Sequence, residues 1–379
     1  MRHAGKKIIV SGGSRCNVLP EEVDLQTDFV TESKPAALRA VFASWSLEEC
    51  RHWLEQDVGL PLALEAETRK FFPANGSERA ADRVVLALGG SSFPKMGTDG
   101  TGFRVLRALG HTLRPPYPAL TPLKGAHPAG SQLAGLAAYE AQLESVPVRT
   151  PDGDSATPGG GGGGGRRKRG ARRAARRSLL FTHRGFSGPG VLDLSHTFTM
   201  AAERGGAPPE LRVAWTPDGA AAWDTRLQAP AGAESVAARL RRGGVPARLA
   251  DALCSEIGLE GGARMAALRR EQRIALVRAL TAYALPIAGH EGYAKAEVTG
   301  GGLPLDEVDC STLESRLRPG LFVCGELLDV FGRIGGFNFY WAWVTGRLAG
   351  LAAGKPLARG VQEDMMMQRD ISNKPSYPL

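Results

Sequence analysis

The feature that most constrains the fold of this chain is a short apolar run that ends in glycine, which occurs three times. Continuous apolar runs are typical of strands buried on both faces of a parallel sheet, and glycine where a strand ends lets backbone N–H groups approach a ligand. Open parallel sheets bind ligands at the carboxyl ends of their strands. The three runs are residues 8–10 before Gly12 and Gly13, 84–88 before Gly89 and Gly90, and 321–324 before Gly325. The pattern predicts an α/β fold with a ligand site at one sheet edge.

Between these runs the pattern changes, which predicts an insertion within the α/β domain. Residues 1–118 alternate apolar runs with helix-like stretches such as 36–56, as expected for the first part of an α/β domain. Prolines crowd between Pro115 and Pro122; they interrupt helices and strand ladders and place a boundary near residue 119. We therefore expect an inserted substrate-side domain over 119–295, a second part of the α/β domain over 296–358, and a tail over 359–379.

The positive charge of the chain is confined to one segment. The formal net charge is +8, and residues 166–177 alone hold eight basic residues and no acid, so the rest of the chain sums to about zero. Seven consecutive glycines precede this run at 159–165. Such a composition cannot bury apolar surface against its ordering entropy. Residues 151–177 are therefore expected to form a disordered loop.

The cysteines and the start of the chain bear on metals and on compartment. Five cysteines show no C-x-x-C pair and no metal-ligand spacing, so neither a zinc site nor a disulfide framework is expected. No apolar stretch approaches the roughly 18 residues of a membrane-spanning helix, and the first residues lack the apolar core of a signal peptide. We expect no metal, no membrane partner and a cytoplasmic protein, with an organelle left open if a segment precedes Met1.

The third glycine-bearing segment, residues 317–350, carries the most chemistry. Asp329 follows the strand, and a Gly-Gly pair leads into a helix for which Asn338 is a candidate cap. A helix N-terminus offers free N–H groups and the positive end of the helix dipole, which suits a ligand on which negative charge develops, such as a reduced flavin ring. Gly346 and Gly350, four residues apart, predict close packing of this helix on the sheet.

Six segments, in this order, resemble those of the NAD(P)/FAD-dependent oxidoreductase family of aminoacetone-oxidase-like and BaiN-type flavoproteins. The resemblance runs from about residue 5 to residue 350. The segments are SGGSRCN at 11–17, ALGG at 87–90, PKMGTDGTG at 94–102, LFTHRGFSGP at 180–189, AEVTGGGLPL at 296–305 and GELLDVFGRIGGFN at 325–338.

The resemblance implies a glutathione-reductase-like FAD-binding domain interrupted by a domain with a small β-barrel and helices. Residues of the first motif would lie along FAD, those of the second would line the sheet edge, and those of the last would reach the ribityl and pyrophosphate region and the ring. The residues of the first motif are Gly12, Gly13, Arg15 and Asn17, and those of the second are Gly89 and Gly90. In the last motif, Gly325, Glu326 and Asp329 would reach the ribityl and pyrophosphate region, and Gly335, Gly336 and Asn338 the ring. The family also opens with a strand and a G-x-G-x-x-G turn, and no such fingerprint occurs in this sequence. The FAD-binding domain is therefore expected to be truncated at its front.

The expected function is flavin-mediated hydride transfer from NAD(P)H through FAD to a small-molecule organic acceptor or to dioxygen. No catalytic residue is assigned: His183 and Cys16 are more simply read as a structural histidine and a buried thiol. One alternative is a cofactor-free remnant of such a flavoprotein. Another is a nucleic-acid-binding protein that uses residues 166–177, but that run lacks interleaved aromatic residues and belongs to no reading module. We therefore expect no nucleic-acid partner.

Overall fold

The computed structural model describes residue 19 and residues 23–53, 83–127, 130–148, 172–173, 176–230, 232–259 and 262–355. The helices in these ranges are α1 (Pro35–Phe42), α2 (Leu47–His52), α3 (Thr101–Ala108), α4 (Pro189–Glu203), α5 (Ala220–Gln228), α6 (Val236–Arg242), α7 (Ala247–Glu256), α8 (Arg270–Thr281) and α9 (Phe337–Ala353). The strands are β1 (Phe29–Val30), β2 (Val84–Leu86), β3 (Arg114–Ala119), β4 (Leu123–Gly125), β5 (Ala137–Ala138), β6 (Gln142–Val146), β7 (Arg172–Arg173), β8 (Leu179–Thr182), β9 (Gly185–Ser187), β10 (Glu210–Ala214), β11 (Tyr283–Ala284), β12 (Ile287–His290), β13 (Val298–Gly302), β14 (Leu321–Val323) and β15 (Phe331–Gly332).

One hydrophobic core gathers around the parallel pair β2 and β14. Helices α1, α2 and α9 pack together beside it. Phe42 lies 5.1 Å from Tyr340 and 5.5 Å from Trp341, ring centroid to ring centroid, so aromatic rings join α1 to α9. The helix expected over 36–56 is in fact two helices, because Ser46 caps α2: its Oγ accepts from the Glu49 N–H at 3.1 Å, and the Glu49 carboxylate accepts from the Ser46 N–H at 2.8 Å.

A second core belongs to the segment between β3 and β13. Two antiparallel sheets, with strand orders β11-β10-β6-β7 and β12-β4-β9-β8-β5, are accompanied by helices α4 to α8. Trp215 stacks on Phe181 at 5.8 Å in the middle of this core, and its Nε1 donates to the Ala279 carbonyl at 2.9 Å. The chain leaves through β3 and returns through β13, which are hydrogen-bonded neighbours, so the segment begins and ends at adjacent positions.

Two expectations about prolines and buried strands are wrong. Pro115, Pro116 and Pro118, which were expected to break a ladder, lie inside β3, and β3 pairs with β13 alone among the described strands. Proline is tolerated there because an edge strand need not donate on its free side. The strand expected over 84–88 to be buried on both faces is the shorter β2, with Val84 and Val85 exposed by 44% and 40%. Pairing with β14 satisfies the backbone of β2 but does not cover its side-chain faces, so an apolar run by itself did not determine their burial.

Part of the segment expected to be disordered is ordered. Arg172 and Arg173 form β7, which pairs with β6, and the side chain of Arg177 bonds to Asp193 at 2.6 Å. The expectation fails at this end because a sheet edge and a buried carboxylate offer partners that composition does not reveal. Residues 151–171 lie outside the described residues. The predicted domain boundaries at 118, 295 and 358 stay predictions.

Helix α9 does not use Gly346 and Gly350 for close packing. A Cβ atom built on Gly346 or Gly350 would meet nothing within 4 Å, so the prediction that these glycines permit close contact with the sheet is wrong. The buried face is instead made of large side chains, including Trp341, Val344 and Leu348. None of the helices in the described ranges is long and apolar enough to cross a membrane.

Candidate functional site

The carboxyl ends of β2 and β14 meet at one edge, as expected for parallel neighbours. Leu86 is opposite Val323, and the Cys324 N–H donates to the Leu86 carbonyl at 3.1 Å. The chain therefore leaves both strands side by side. Of the predicted site residues, Gly90 lies against Glu326, which follows β14, whereas Gly89 lies nearest to Thr98.

Thr299 of β13 joins these two strand ends. Its N–H donates to Glu326 Oε1 at 2.8 Å, and its Oγ1 accepts from the Ser91 N–H at 2.8 Å and lies 3.0 Å from Ser92 Oγ. Thr299 is fully buried. Gly90 is required here because a Cβ would lie only 2.7 Å from Thr299 Cβ. Thr299 was given no role from the sequence, although it stands within the AEVTGGGLPL motif that could have drawn attention to it.

Gly325 turns the chain away from β14 in a left-handed conformation, φ +69°, that favours glycine. Its N–H donates to Thr345 Oγ1 at 2.9 Å, and its carbonyl accepts from Trp341 Nε1 at 3.0 Å, so α9 side chains hold the turn from behind. A Cβ at Gly325 would meet nothing within 4 Å. The turn therefore presents open backbone surface at the sheet edge.

Helix α9 follows β15, and Gly336 rather than Asn338 is its N-cap. Gly335 and Gly336 have φ values of +129° and +90°. The prediction that Asn338 caps the helix is wrong. Its Oδ1 accepts from the Gly332 N–H at 2.8 Å, and its Nδ2 donates to the Gly332 carbonyl at 2.9 Å. The side chain thus closes the turn that precedes α9. The first N–H groups of α9 have no partner inside the helix, as at any helix start.

The middle of that turn is held by side chains from distant parts of the chain. The Ile334 N–H donates to Asp193 Oδ1 at 2.8 Å, and the Ile334 carbonyl accepts from Arg177 Nη1 at 3.1 Å. Arg333 donates through its N–H and its Nε to the backbone and carboxylate of Asp28, at 2.9 and 2.5 Å. Burial raises the pKa of Asp193, while the Ile334 N–H and the Arg177 guanidinium act in the opposite direction.

Asp329 is buried and lies in an ion-pair network at the junction of the two cores. Its carboxylate pairs with Arg114 and accepts from the Glu32 N–H at 3.1 Å, and Glu32 in turn pairs with Arg204, the C-cap of α4. Burial raises the pKa of Asp329 to about 6, although Arg114 lowers it. These contacts are with protein groups, so the ribityl role expected for Asp329 remains a prediction.

Tyr293 stands beside the edge and was missed by sequence reasoning. Its carbonyl accepts from the Phe93 N–H at 2.8 Å, which connects Tyr293 to the segment that follows Gly90. Burial raises the pKa of the Tyr293 hydroxyl, and the negative charges of Glu203 and Glu326 raise it further. The hydroxyl is therefore protonated at neutral pH.

Other candidates from the sequence fall elsewhere. Gly12, Gly13, Arg15 and Asn17 lie outside the described residues, as does Cys16. His183 lies in the exposed turn between β8 and β9. Within the described ranges no group of three or more His, Cys, Asp or Glu side chains could hold a metal ion.

Parallel strands with glycine-lined carboxyl ends that meet a helix N-terminus are the architecture of dinucleotide-binding proteins. Comparison with known families gives the class: residues 72–352 match the HI0933-like protein Rossmann domain, and the chain belongs to this family. It is an FAD-dependent oxidoreductase, as the six motifs predicted, and its α/β class is confirmed.

Three relatives are informative. The chain is 28% identical to the 3-dehydro-bile acid delta(4,6)-reductase of Clostridium scindens over an alignment of 394 positions. The alignment covers 92% of this chain and 90% of the relative. It is 30% identical to the ribosomal RNA dihydrouridine synthase of Escherichia coli and 25% identical to that of Haemophilus influenzae, over 73% and 74% of this chain. The matches span 62% of the length of each of those synthases.

Proposed function

We propose that this chain reduces a carbon–carbon double bond conjugated to a carbonyl group, with NAD(P)H as hydride source and FAD as carrier. The observation that carries the proposal is that two glycine-bearing strand ends lie side by side, with α9 packed against the Gly325 turn through Trp341 and Thr345. The names of the bacterial relatives support the substrate class. Read as chemistry, a delta(4,6)-reductase and a dihydrouridine synthase both add hydrogen across such a bond.

The described residues fit part of FAD. Gly325 offers backbone with open space in front of it, and Gly335 and Gly336 lead into a helix whose first N–H groups point away from the helix body. That end suits the side of the ring where negative charge develops on reduction. The glycine-rich motif at 11–17, which lies outside the described residues, is proposed to hold another part of the cofactor. When bound, FAD would supply the hydride-transfer chemistry between NAD(P)H and the acceptor carbon.

The chain's own residues have two tasks in this proposal. Thr299 fixes the Glu326 carboxylate under Gly90 and so keeps the two strand ends at a constant separation. Tyr293 supplies the proton that must reach the carbon next to the one that receives hydride. The Tyr293 hydroxyl is protonated at neutral pH and therefore carries a proton that it can donate.

The test is direct. The purified protein should carry FAD absorbance that NADPH or NADH bleaches under anaerobic conditions, and a conjugated steroid enone should restore the oxidised spectrum faster than buffer alone. Tyr293→Phe should bleach at the wild-type rate and slow the restoring step at least tenfold. A protein that takes up no FAD would establish the cofactor-free remnant instead, and restoration by air alone would point to dioxygen as acceptor.

A second candidate is reduction of a base in RNA, favoured by the ribosomal RNA synthases and by the basic run at 166–177. Arg177 of that run is already paired with Asp193, so the basic surface would have to come from its other members. The two substrates are distinguished by offering uridine-containing RNA and the enone to the reduced protein. Oxidation by RNA alone, with affinity that falls steeply as salt rises, would favour the second candidate.

A further inference from the structure

The turn before α9 is held by two charged side chains that come from outside the α/β core. Asp193 lies on α4 and Arg177 just precedes β8, both in the segment between β3 and β13. Together they form hydrogen bonds with both the N–H and the carbonyl of Ile334, which lies two residues before the N-cap of α9. The Asp193 side chain is only 9% exposed and that of Arg177 only 24%. The pair is therefore buried against the turn and is not a surface ion pair.

The guanidinium of Arg177 also lies next to the glycine pair. Its Nη2 is 4.0 Å from the position a Cβ on Gly335 would take, so a positive charge stands at the beginning of α9. Arg333 adds a second guanidinium, 4.3 Å above the ring of Phe337, although Asp28 pairs with it. The helix dipole is positive at this end as well. All these charges favour a ligand state that is more negative.

We propose that Arg177 and Asp193 are positioning residues that set the redox potential of the bound flavin through the Gly335–Gly336 turn. The inference rests on the proposed function, because it requires a flavin ring at the start of α9. Arg177 favours the reduced, more negative flavin by its charge, and Asp193 moderates that effect while holding the Ile334 N–H. A buried ion pair is costly to desolvate and contributes little stability by itself. Beside holding the main-chain groups of Ile334, the two charges are therefore placed to act on a flavin bound at the start of α9.

The experiment measures the midpoint potential of the FAD-loaded protein for four variants, with melting temperature measured alongside. Arg177→Gln removes the charge and keeps a donor for the Ile334 carbonyl, whereas Arg177→Lys keeps the charge. Asp193→Asn keeps an acceptor for the Ile334 N–H and leaves Arg177 unpaired. Arg273→Gln is the matched control, since Arg273 is also 24% exposed and forms one ion pair, with Asp224, at 2.9 Å.

The expected result is a shift of opposite sign in two variants. Arg177→Gln should weaken the preference for reduced flavin about tenfold, which for a two-electron couple is about 30 mV more negative. Asp193→Asn should shift the potential in the positive direction. Arg177→Lys should lose as much melting temperature as Arg177→Gln yet stay near the wild-type potential, and Arg273→Gln should leave the potential unchanged.

Two results would overturn the inference. Unchanged potentials in Arg177→Gln and Asp193→Asn would show that neither charge acts on the flavin. Equal shifts in the Gln and Lys variants that follow the loss of melting temperature would show a structural role only. A wild-type protein without FAD would overturn the proposed function as well, so the two failures are distinguishable.

Discussion

A methyl group added at Gly90 tests the central contact of the site. In Gly90→Ala the new Cβ would lie 2.7 Å from Thr299 Cβ, whereas ordinary contact begins at 3.4 Å, so Thr299 must move by at least about 0.7 Å. Gly90 does not have a positive φ, so the substitution adds no backbone strain and the effect is one of space. Thr299 cannot retreat into solvent because it is fully buried.

The displacement should break two hydrogen bonds of 2.8 Å, from the Ser91 N–H to Thr299 Oγ1 and from the Thr299 N–H to Glu326 Oε1. Leaving buried partners unpaired costs about 1–3 kcal/mol each, so we expect a loss of about 2–6 kcal/mol in the free energy of unfolding. That is a large share of the roughly 5–15 kcal/mol that stabilises a typical protein.

The assay is urea unfolding followed by tryptophan fluorescence, with FAD content measured on the same samples. Gly90→Ala should be less stable than wild type and should lose bound FAD. Should it unfold at the wild-type urea concentration with full FAD content, the packing of Gly90 against Thr299 would not be what holds the strand ends together.

Three further predictions concern the surrounding structure. Burial raises the pKa of Asp329 to about 6 from 3.8, so the folded state binds this proton more tightly than the unfolded state. The free energy of unfolding should therefore be greatest below about pH 4 and fall by on the order of 3 kcal/mol as pH rises to about 6. Asp329→Asn should remove this pH dependence in urea titrations. Gly346→Ala should raise the free energy of unfolding by about 0.5–1 kcal/mol in the same urea assay, because the new Cβ meets nothing and alanine is the better helix former. A lower free energy of unfolding would show that Gly346 is needed for close packing. His111→Ala should cost about 2–4 kcal/mol by thermal or urea unfolding, because the buried ring bonds to Glu307 at 2.7 Å and to Ser315 at 3.0 Å; retained stability would mean that water replaces both bonds.

The sequence allowed the sheet edge to be predicted because its signals are local. An apolar run followed by glycine requires only neighbouring residues, and the two runs form the parallel neighbours β2 and β14 with Gly90 against Glu326. Local signals failed where solvent exposure decides the outcome. The exposed side chains of β2 and the open space at Gly346 depend on which elements lie nearby, and composition does not contain that information.

The residues that complete the site could not be predicted because their partners are far away in sequence. Thr299 meets Ser91 across 208 positions, and Asp193 meets Ile334 across 141. A buried threonine or aspartate carries no mark of which main-chain group it will bind. Only the motif around Thr299 gave a hint, and it pointed to a segment without identifying the side chain that acts.

The turn before α9 shows how a local motif can depend on a distant segment. Gly335 and Gly336 can adopt their left-handed conformations because glycine has no Cβ. Glycine also has the largest conformational freedom of all residues, so its presence alone does not fix one conformation of the turn. Selection comes from the carboxylates of Asp28 and Asp193 and from the guanidinium of Arg177, which hold Arg333 and Ile334 on both sides. Two of these three groups belong to the segment between β3 and β13, so the start of α9 reaches its final geometry only when that segment has packed against it. Anything that loosens that packing must therefore also weaken whatever binds at the beginning of α9.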